Sequence, residues 1–184
     1  MSAATLRRLE QALAREAEAL ARTLARTRSQ LVLAESCTGG MVAAALTRIP
    51  GISKHLCGSA VVYQSETKSQ WLEIPRSSLR RFGTESLQMS QLLASAALTH
   101  TRQATVSAAI TGDLGPLGNP GTLFMACEIR KPFPLAVADR VELLAIRGSP
   151  ARTLRGKSRR LALQLLASHH LISMVRQLLS DTLR

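Results

Sequence analysis

The stretch LVLAESCTGGMVAAALTRIPG, residues 31–51, joins two hydrophobic periods through a short polar turn. Leu31 to Ala34 is an unbroken apolar run, the pattern of a strand buried on both faces. Met41 to Arg48 spaces its apolar residues as a helix does, and Ile49-Pro50-Gly51 stops it. Between them Glu35-Ser36-Cys37-Thr38-Gly39-Gly40 supplies an acid, two types of nucleophile, a cap residue and a glycine pair. Ser36 or Thr38 suits the cap of the following helix, and Gly39 and Gly40 let backbone N–H groups approach a ligand at its positive end. Cys37 is a second candidate nucleophile, because a helix N-terminus lowers a thiol pKa. Capping without chemistry and catalysis are both compatible with these residues alone.

Working outward, residues 3–28 place Leu6, Leu9, Leu13, Leu20 and Leu24 at helical spacing among Ala, Arg and Glu, which predicts an N-terminal amphipathic helix. Beyond the stop at Gly51, a second strand fits 58–63, followed by a helix over 65–72 that Pro75 closes. Another helix starts at Ser86 and runs through LQMSQLLASAALTH. A third strand, ATVSAAIT at 104–111, ends in TGDLGPLGNPG, the densest cluster of turn residues in the chain. Strands over 122–129 and 137–146, joined through Lys131-Pro132-Phe133-Pro134, precede a helix over 150–179. Strands alternating with helices and then a hairpin predict a mixed α/β sheet covered by helices on both faces, in one domain over 1–184.

The composition bounds the function. A chain of 184 residues with 46% hydrophobic content can bury a real core. No apolar run approaches a membrane span, and the amino terminus lacks the order of a signal peptide, so no membrane partner and a cytoplasmic location are expected. Cys37, Cys57 and Cys127 are widely spaced with no C-x-x-C pair, and His169 and His170 diverge on a helix, so neither a disulfide framework nor a metal site is expected. The net charge of +12, from 24 Lys and Arg against 12 Asp and Glu, raises nucleic acid as a partner. The arginines are scattered, however, and only 3% of residues are aromatic, leaving few surfaces for base stacking. A solvated basic surface or a small anionic ligand fits better than specific nucleic-acid binding.

In open α/β sheets, ligands bind beyond the carboxyl ends of the strands, where strand order reverses. With the first strand between the second and third, three polar clusters meet at one edge: 35–40, Tyr63 to Lys68, and Thr111-Gly112-Asp113. A serine nucleophile needs a base, and Lys68, five residues beyond Tyr63, is the candidate from the neighbouring strand. For that lysine to be neutral at pH 7, its preference for the proton must fall by about 4 kcal/mol, which demands burial or a nearby cation. Alternatively, Lys68 stays charged and holds a phosphate or oxyanion while Tyr63 relays the proton.

These residues resemble the CinA carboxy-terminal domain family, the nicotinamide-nucleotide amidohydrolases. A-E-S-C-T-G-G, the family's opening signature, stands complete at 34–40, and Pro50-Gly51-Ile52-Ser53 is similar to the turn that follows. Tyr63, Glu66 and Lys68 fall where the family has Y-S-N-E-x-K. Gly83 with Ser86 matches its G-x-x-S helix start, and Thr111-Gly112 with Gly115-Pro116 matches its T-G-x-A-G-P loop. The resemblance implies a three-layer α/β/α fold with a mixed, mostly parallel five-stranded sheet. It also implies hydrolysis of the carboxamide of nicotinamide mononucleotide to nicotinic acid mononucleotide and ammonia, with neither metal nor cofactor. By position, Ser36 is then the nucleophile, Lys68 and Tyr63 the base system, and Thr111 a substrate or oxyanion contact. Glu35, Thr38, Gly39, Gly40 and Gly112 join the substrate contacts, with backbone N–H groups around Thr38 to Gly40 forming the oxyanion hole.

The chain also departs from the family pattern. Gln64-Ser65 replaces Ser-Asn, Leu114 replaces a small residue, and Leu117 to Gly121 is a shortened loop. Where the family has G-D-R-x-x-x-R before the last helix, this chain reads Gly148-Ser149-Pro150-Ala151-Arg152-Thr153-Leu154-Arg155. Arg155 aligns with the second arginine, and the first is missing or displaced to Arg152. A catalytically impaired nucleotide-binding relative is therefore the alternative, followed by a basic nucleic-acid-associated protein; a homo-oligomer is compatible with either. Salt separates the partners, because binding through many phosphates weakens steeply with ionic strength and a pocket for one phosphate weakens gently. Labelled duplex DNA is expected to bind weakly and to be lost by physiological salt, while nicotinamide mononucleotide binding survives. Tight, salt-resistant duplex binding without a mononucleotide signal overturns this expectation.

Overall fold

A computed structural model describes residues 2–115, 120–130 and 134–182. Helix α1 (Ser2–Thr27) leads into strand β1 (Leu31–Glu35), helix α2 (Met41–Thr47), a 3-10 turn at Ile52–Lys54 and strand β2 (Leu56–Val61). Then come α3 (Ser65–Leu72), α4 (Arg76–Phe82), α5 (Leu87–His100), β3 (Val106–Asp113), β4 (Thr122–Ile129) and β5 (Leu135–Glu142). A 3-10 turn at Pro150–Arg152 precedes the last helix, α6 (Gly156–Asp181).

The five strands form one sheet in the order β2-β1-β3-β4-β5. β1 pairs in parallel with both β2 and β3, while β4 runs antiparallel to both β3 and β5. Four strands therefore point one way and β4 opposes them, although the pairings divide evenly between the two kinds.

Period-2 alternation sorts β1 between two cores. Leu31 and Leu33 face a cluster with Leu13, Leu20 and Leu24 of α1, Leu46 of α2 and Leu163, Leu171 and Val175 of α6. Val32 and Ala34 face the opposite cluster, with Leu72 of α3 and Met89, Leu93 and Ala97 of α5. All five residues of β1 are buried, as a strand covered by helices on both sides must be. The result is a three-layer α/β/α sandwich. No described helix is long and apolar enough to cross a membrane.

The departures from sequence expectation have local causes. Helix α4 was not expected, because RSSLRRF buries no residue and so shows no hydrophobic period; Pro75, read as an end signal, sits at its N-cap. The expected 150–179 helix is broken at 153–155, where the chain leaves its 3-10 turn before α6 begins. Strand β5 covers Leu135–Glu142 rather than 137–146, because its ladder with β4 ends where Glu142 pairs Thr122. The joint at 131–133, like Pro116 and residues 117–119 of the shortened loop, lies outside the described residues.

Parallel register brings Glu35 level with Val61 on one side and Ile110 on the other, so the segments that leave these strands emerge at one edge. Gly112 is held there by close packing: a Cβ at this position would meet the Thr122 carbonyl oxygen at 2.4 Å and Leu123 Cα at 3.1 Å. Gly112→Ala is therefore expected to destabilise the fold by about 1–3 kcal/mol, the usual range for overpacking. Urea denaturation checks this as a lower midpoint at unchanged slope; an unchanged midpoint would mean that β4 yields without cost.

Candidate active site

The polar turn after β1 is built around Glu35, whose side chain is fully buried. Its Oε2 accepts from Thr38 Oγ1 at 2.8 Å and from the Val42 amide at 3.0 Å. Its Oε1 accepts from the Ala43 amide and from Ser59 Oγ, each at 3.0 Å. The carboxylate thus occupies the positive end of α2 and ties it to β2. This corrects the cap expected from Ser36 or Thr38: Gly40 is the N-cap residue, no side chain of its own caps the helix, and Glu35 reaches the exposed amides from the strand. Gly39 and Gly40 take left-handed backbone angles, φ 63° and 93°, which lets the chain turn sharply enough to present Ser36. The Ser36 amide donates to the Ile110 carbonyl at 3.1 Å, fixing the turn to β3.

Ser36 meets Lys68 at this edge. Lys68, on α3, is only 1% exposed. Its Nζ lies 3.2 Å from Ser36 Oγ, 2.8 Å from the Val62 carbonyl oxygen and 3.4 Å from the Tyr63 carbonyl oxygen. Burial lowers the amine's pKa below its ordinary value, while the negative charge of Glu85 pushes it back up. An ammonium would donate to all three oxygens. A neutral amine has two N–H donors for the two carbonyls, which leaves its lone pair for the Ser36 hydroxyl proton. The arrangement therefore suits transfer of that proton to Lys68. A cavity of about 360 Å³ opens over the pair, lined also by Tyr63, Glu66, Thr84 and Glu85.

The remaining expected site residues take other places. Tyr63 is 56% exposed and its phenol oxygen accepts from Arg160 Nη2 at 2.9 Å, so it approaches Lys68 through its carbonyl and not its ring. Thr111 is buried, with its Oγ1 3.1 Å from Ser90 Oγ. Ser90 donates its single hydroxyl proton to the Phe124 carbonyl at 2.8 Å, so Thr111 is the donor to Ser90 and braces α5 against the sheet. Arg152 and Arg155 are exposed, and Arg155 Nη1 turns back to the carbonyls of Arg152 and Leu154 at 3.2 and 3.3 Å.

The arginine that reaches this edge is Arg160, which also donates to the Gly115 carbonyl at 3.0 Å. With Lys157 and Arg159 it lines a second cavity of about 280 Å³ beside the first. Nothing in RGKSRR distinguishes Arg160 from its neighbours, so sequence reasoning missed it. Ser90 was more legible, as a lone hydroxyl on the apolar face of Met89, Leu93 and Ala97. Among the described residues, no three His, Cys, Asp or Glu side chains converge to hold a metal ion.

Cys37 requires a correction. Its side chain points into the core with Val42 and Leu165, and burial pushes the thiol pKa up to about 12, against a smaller lowering by its own backbone hydrogen bond. The helix-end activation expected from sequence is outweighed by desolvation, and the thiol stays protonated at neutral pH.

The CinA C-terminal domain family model matches residues 13–169. This chain belongs to that family. A CinA-like protein of Myxococcus xanthus is 32% identical over 160 residues, which cover 84% of this chain and 34% of the relative. Like other curated relatives it matches, that protein is far longer, and the chain spans about a third of it or less. The crystal structure of competence/damage inducible protein CihA from Agrobacterium tumefaciens superposes with a TM-score of 0.71 at 28% identity, over 89% of this chain and 95% of that one. A CinA superfamily protein from Klebsiella pneumoniae shares the fold at a TM-score of 0.77 and 23% identity, over 92% and 98% of the two chains. The AESCTGG segment is thus, in this CinA domain, the turn in which Glu35 holds α2 and Ser36 lies beside Lys68.

The cysteines test the placement of that turn. Cys37 and Cys127 are buried and Cys57 is partly exposed. A thiol-specific disulfide reagent is therefore expected to modify about one equivalent in the native protein, at Cys57, and all three thiols after unfolding. Rapid native modification of Cys37 would contradict its burial.

Proposed function

We propose that this CinA domain is a metal-independent amidohydrolase that cleaves the carboxamide of nicotinamide mononucleotide to nicotinic acid mononucleotide and ammonia. The observation that carries the reading is the buried Lys68 Nζ at 3.2 Å from Ser36 Oγ, with its two other contacts on carbonyl oxygens. As the serine oxygen bonds to the amide carbon, its O–H bond breaks and the proton passes to Lys68. The carbonyl electron pair moves onto the oxygen, for which the Thr38 and Gly40 amides are the candidate donors, since the Gly39 amide is held by the Ser36 carbonyl at 3.0 Å. The ammonium then returns the proton to the departing nitrogen, leaving an acyl-enzyme that water opens by the same steps in reverse roles. No electron transfer is involved, so the reaction needs no redox cofactor.

The adjoining basic cavity supports a phosphate-bearing substrate. Arg160, with Lys157 and Arg159, is the group suited to that phosphate, in place of Arg152 and Arg155. The outward turn of Arg155 favours a second reading, a relative that holds the nucleotide without turnover.

Ammonia release from nicotinamide mononucleotide by the purified protein separates the two. Ser36→Ala is expected to abolish turnover and Cys37→Ala to retain much of it. Lys68→Met should lower kcat by about 10²–10⁴, the range for loss of a general base. Because a base must be neutral, wild-type kcat/KM should fall as pH drops through the lowered Lys68 pKa. An unchanged kcat with raised KM in Lys68→Met would make the lysine an anion anchor. Binding without ammonia release would favour the second reading.

A further inference from the structure

The cavity over Ser36 holds a charged group that this mechanism leaves without a role and the fold leaves without a partner among the described residues. Glu85 lies in the turn between Gly83 and the α5 cap Ser86, and lines the same cavity as Ser36 and Lys68. The three contacts of Lys68 are uncharged oxygens, so any counter-charge must act across space.

The other charged groups around the cavity are engaged. Glu66 of α3 pairs with Arg76 of α4. Asp113 of β3 accepts from the Gly115 amide at 2.6 Å. Glu35 is held by its four donors, and Arg160 of α6 by the Tyr63 phenol and the Gly115 carbonyl. Glu85 makes no hydrogen bond or ion pair that occupies its carboxylate among the described residues. Glu85 is exposed at the rim of the cavity; partial desolvation and the nearby Asp113 raise its pKa, and Lys68 draws it down, while reciprocally Glu85 raises that of Lys68.

We propose that Glu85 is a positioning residue that acts through Lys68, stabilising from across the cavity the ammonium formed when the lysine takes the Ser36 proton. The proposal rests on the Ser36–Lys68 reading and deepens it. During attack the Ser36 O–H bond breaks, an N–H bond forms on Lys68, and positive charge appears where burial opposes it. A carboxylate lining the same cavity lowers the cost of the step, with more solvent screening at the exposed Glu85 than at the buried acid that supports the imidazolium of a serine protease triad. Glu85 also keeps the buried amine from losing so much basicity that it can no longer accept the proton.

The protein has four lysines, Lys54, Lys68, Lys131 and Lys157, so the Lys68 ammonium can be followed by nitrogen-15 NMR and assigned by its loss in Lys68→Met. Glu85→Gln is expected to weaken the proton affinity of Lys68 about three- to tenfold, moving its titration midpoint down by about half to one pH unit. The acid limb of kcat/KM should move the same way while kcat falls, and Glu85→Asp should restore most of both. An unmoved Lys68 midpoint in a Glu85→Gln protein with wild-type urea stability overturns the proposal, as does lost activity with the acid limb in place. If the wild type releases no ammonia, the amidohydrolase reading fails, yet the NMR midpoint still decides the role of Glu85.

Discussion

The carboxylate of Glu35 is the constraint on which the rest of the site depends. It is buried at the end of β1 and accepts four hydrogen bonds, from Thr38, Val42, Ala43 and Ser59. Removing such a charge from water costs several kcal/mol, and hydrogen bonds to a charged acceptor return about 1.5–3 kcal/mol each. The local balance favours burial only because every donor is in place at once. One side chain thus couples β1, the glycine turn, α2 and β2. The orientation of Ser36 follows from that coupling, since its amide is held by Ile110 while the turn beyond it is held by Glu35.

The same edge pays for a second buried charge-bearing group differently. Glu35 gathers donors that match an ionised carboxylate, whereas Lys68 meets only the oxygens of Ser36, Val62 and Tyr63. Burial therefore favours the neutral amine, and the environment that makes Lys68 costly as a cation makes it useful as a base. The two residues divide the labour of the AESCTGG turn: one fixes its geometry, and the other supplies the proton acceptor of the proposed reaction.

Two cavities meet at this edge, separated by the Arg160 guanidinium between the Tyr63 phenol and the Gly115 carbonyl. One holds Ser36 and Lys68, the other Lys157 and Arg159. The proposed substrate, with a reactive amide at one end and an anion at the other, matches this division, whereas the scattered arginines offer a long polyanion no continuous track. Thr111 and Ser90 stand behind the site as a buried strut, setting the distance between α5 and the sheet rather than touching the cavity.

The sequence by itself determined the order of strands and helices, the strand–turn–helix around residue 36 and the meeting of three polar segments at one edge. These features rest on local periodicity, turn chemistry and the rule for parallel sheets, all of which are legible in a chain of residues. It did not reveal α4, because a seven-residue helix that packs on the core mainly through the half-buried Leu79 leaves no hydrophobic period. Nor did it set Glu35 above Ser36 and Thr38, the expected caps of α2, because an acid at the end of a buried strand shows no sign in sequence of reaching the helix amides. That choice, the protonated state of Cys37, the approach of Lys68 and the placing of Arg160, rather than Arg152 or Arg155, at this edge were decided by tertiary structure. Each depends on which side chains lose water together and which donors then face which acceptors, and burial and hydrogen-bond geometry are properties of the packed chain, not of its order.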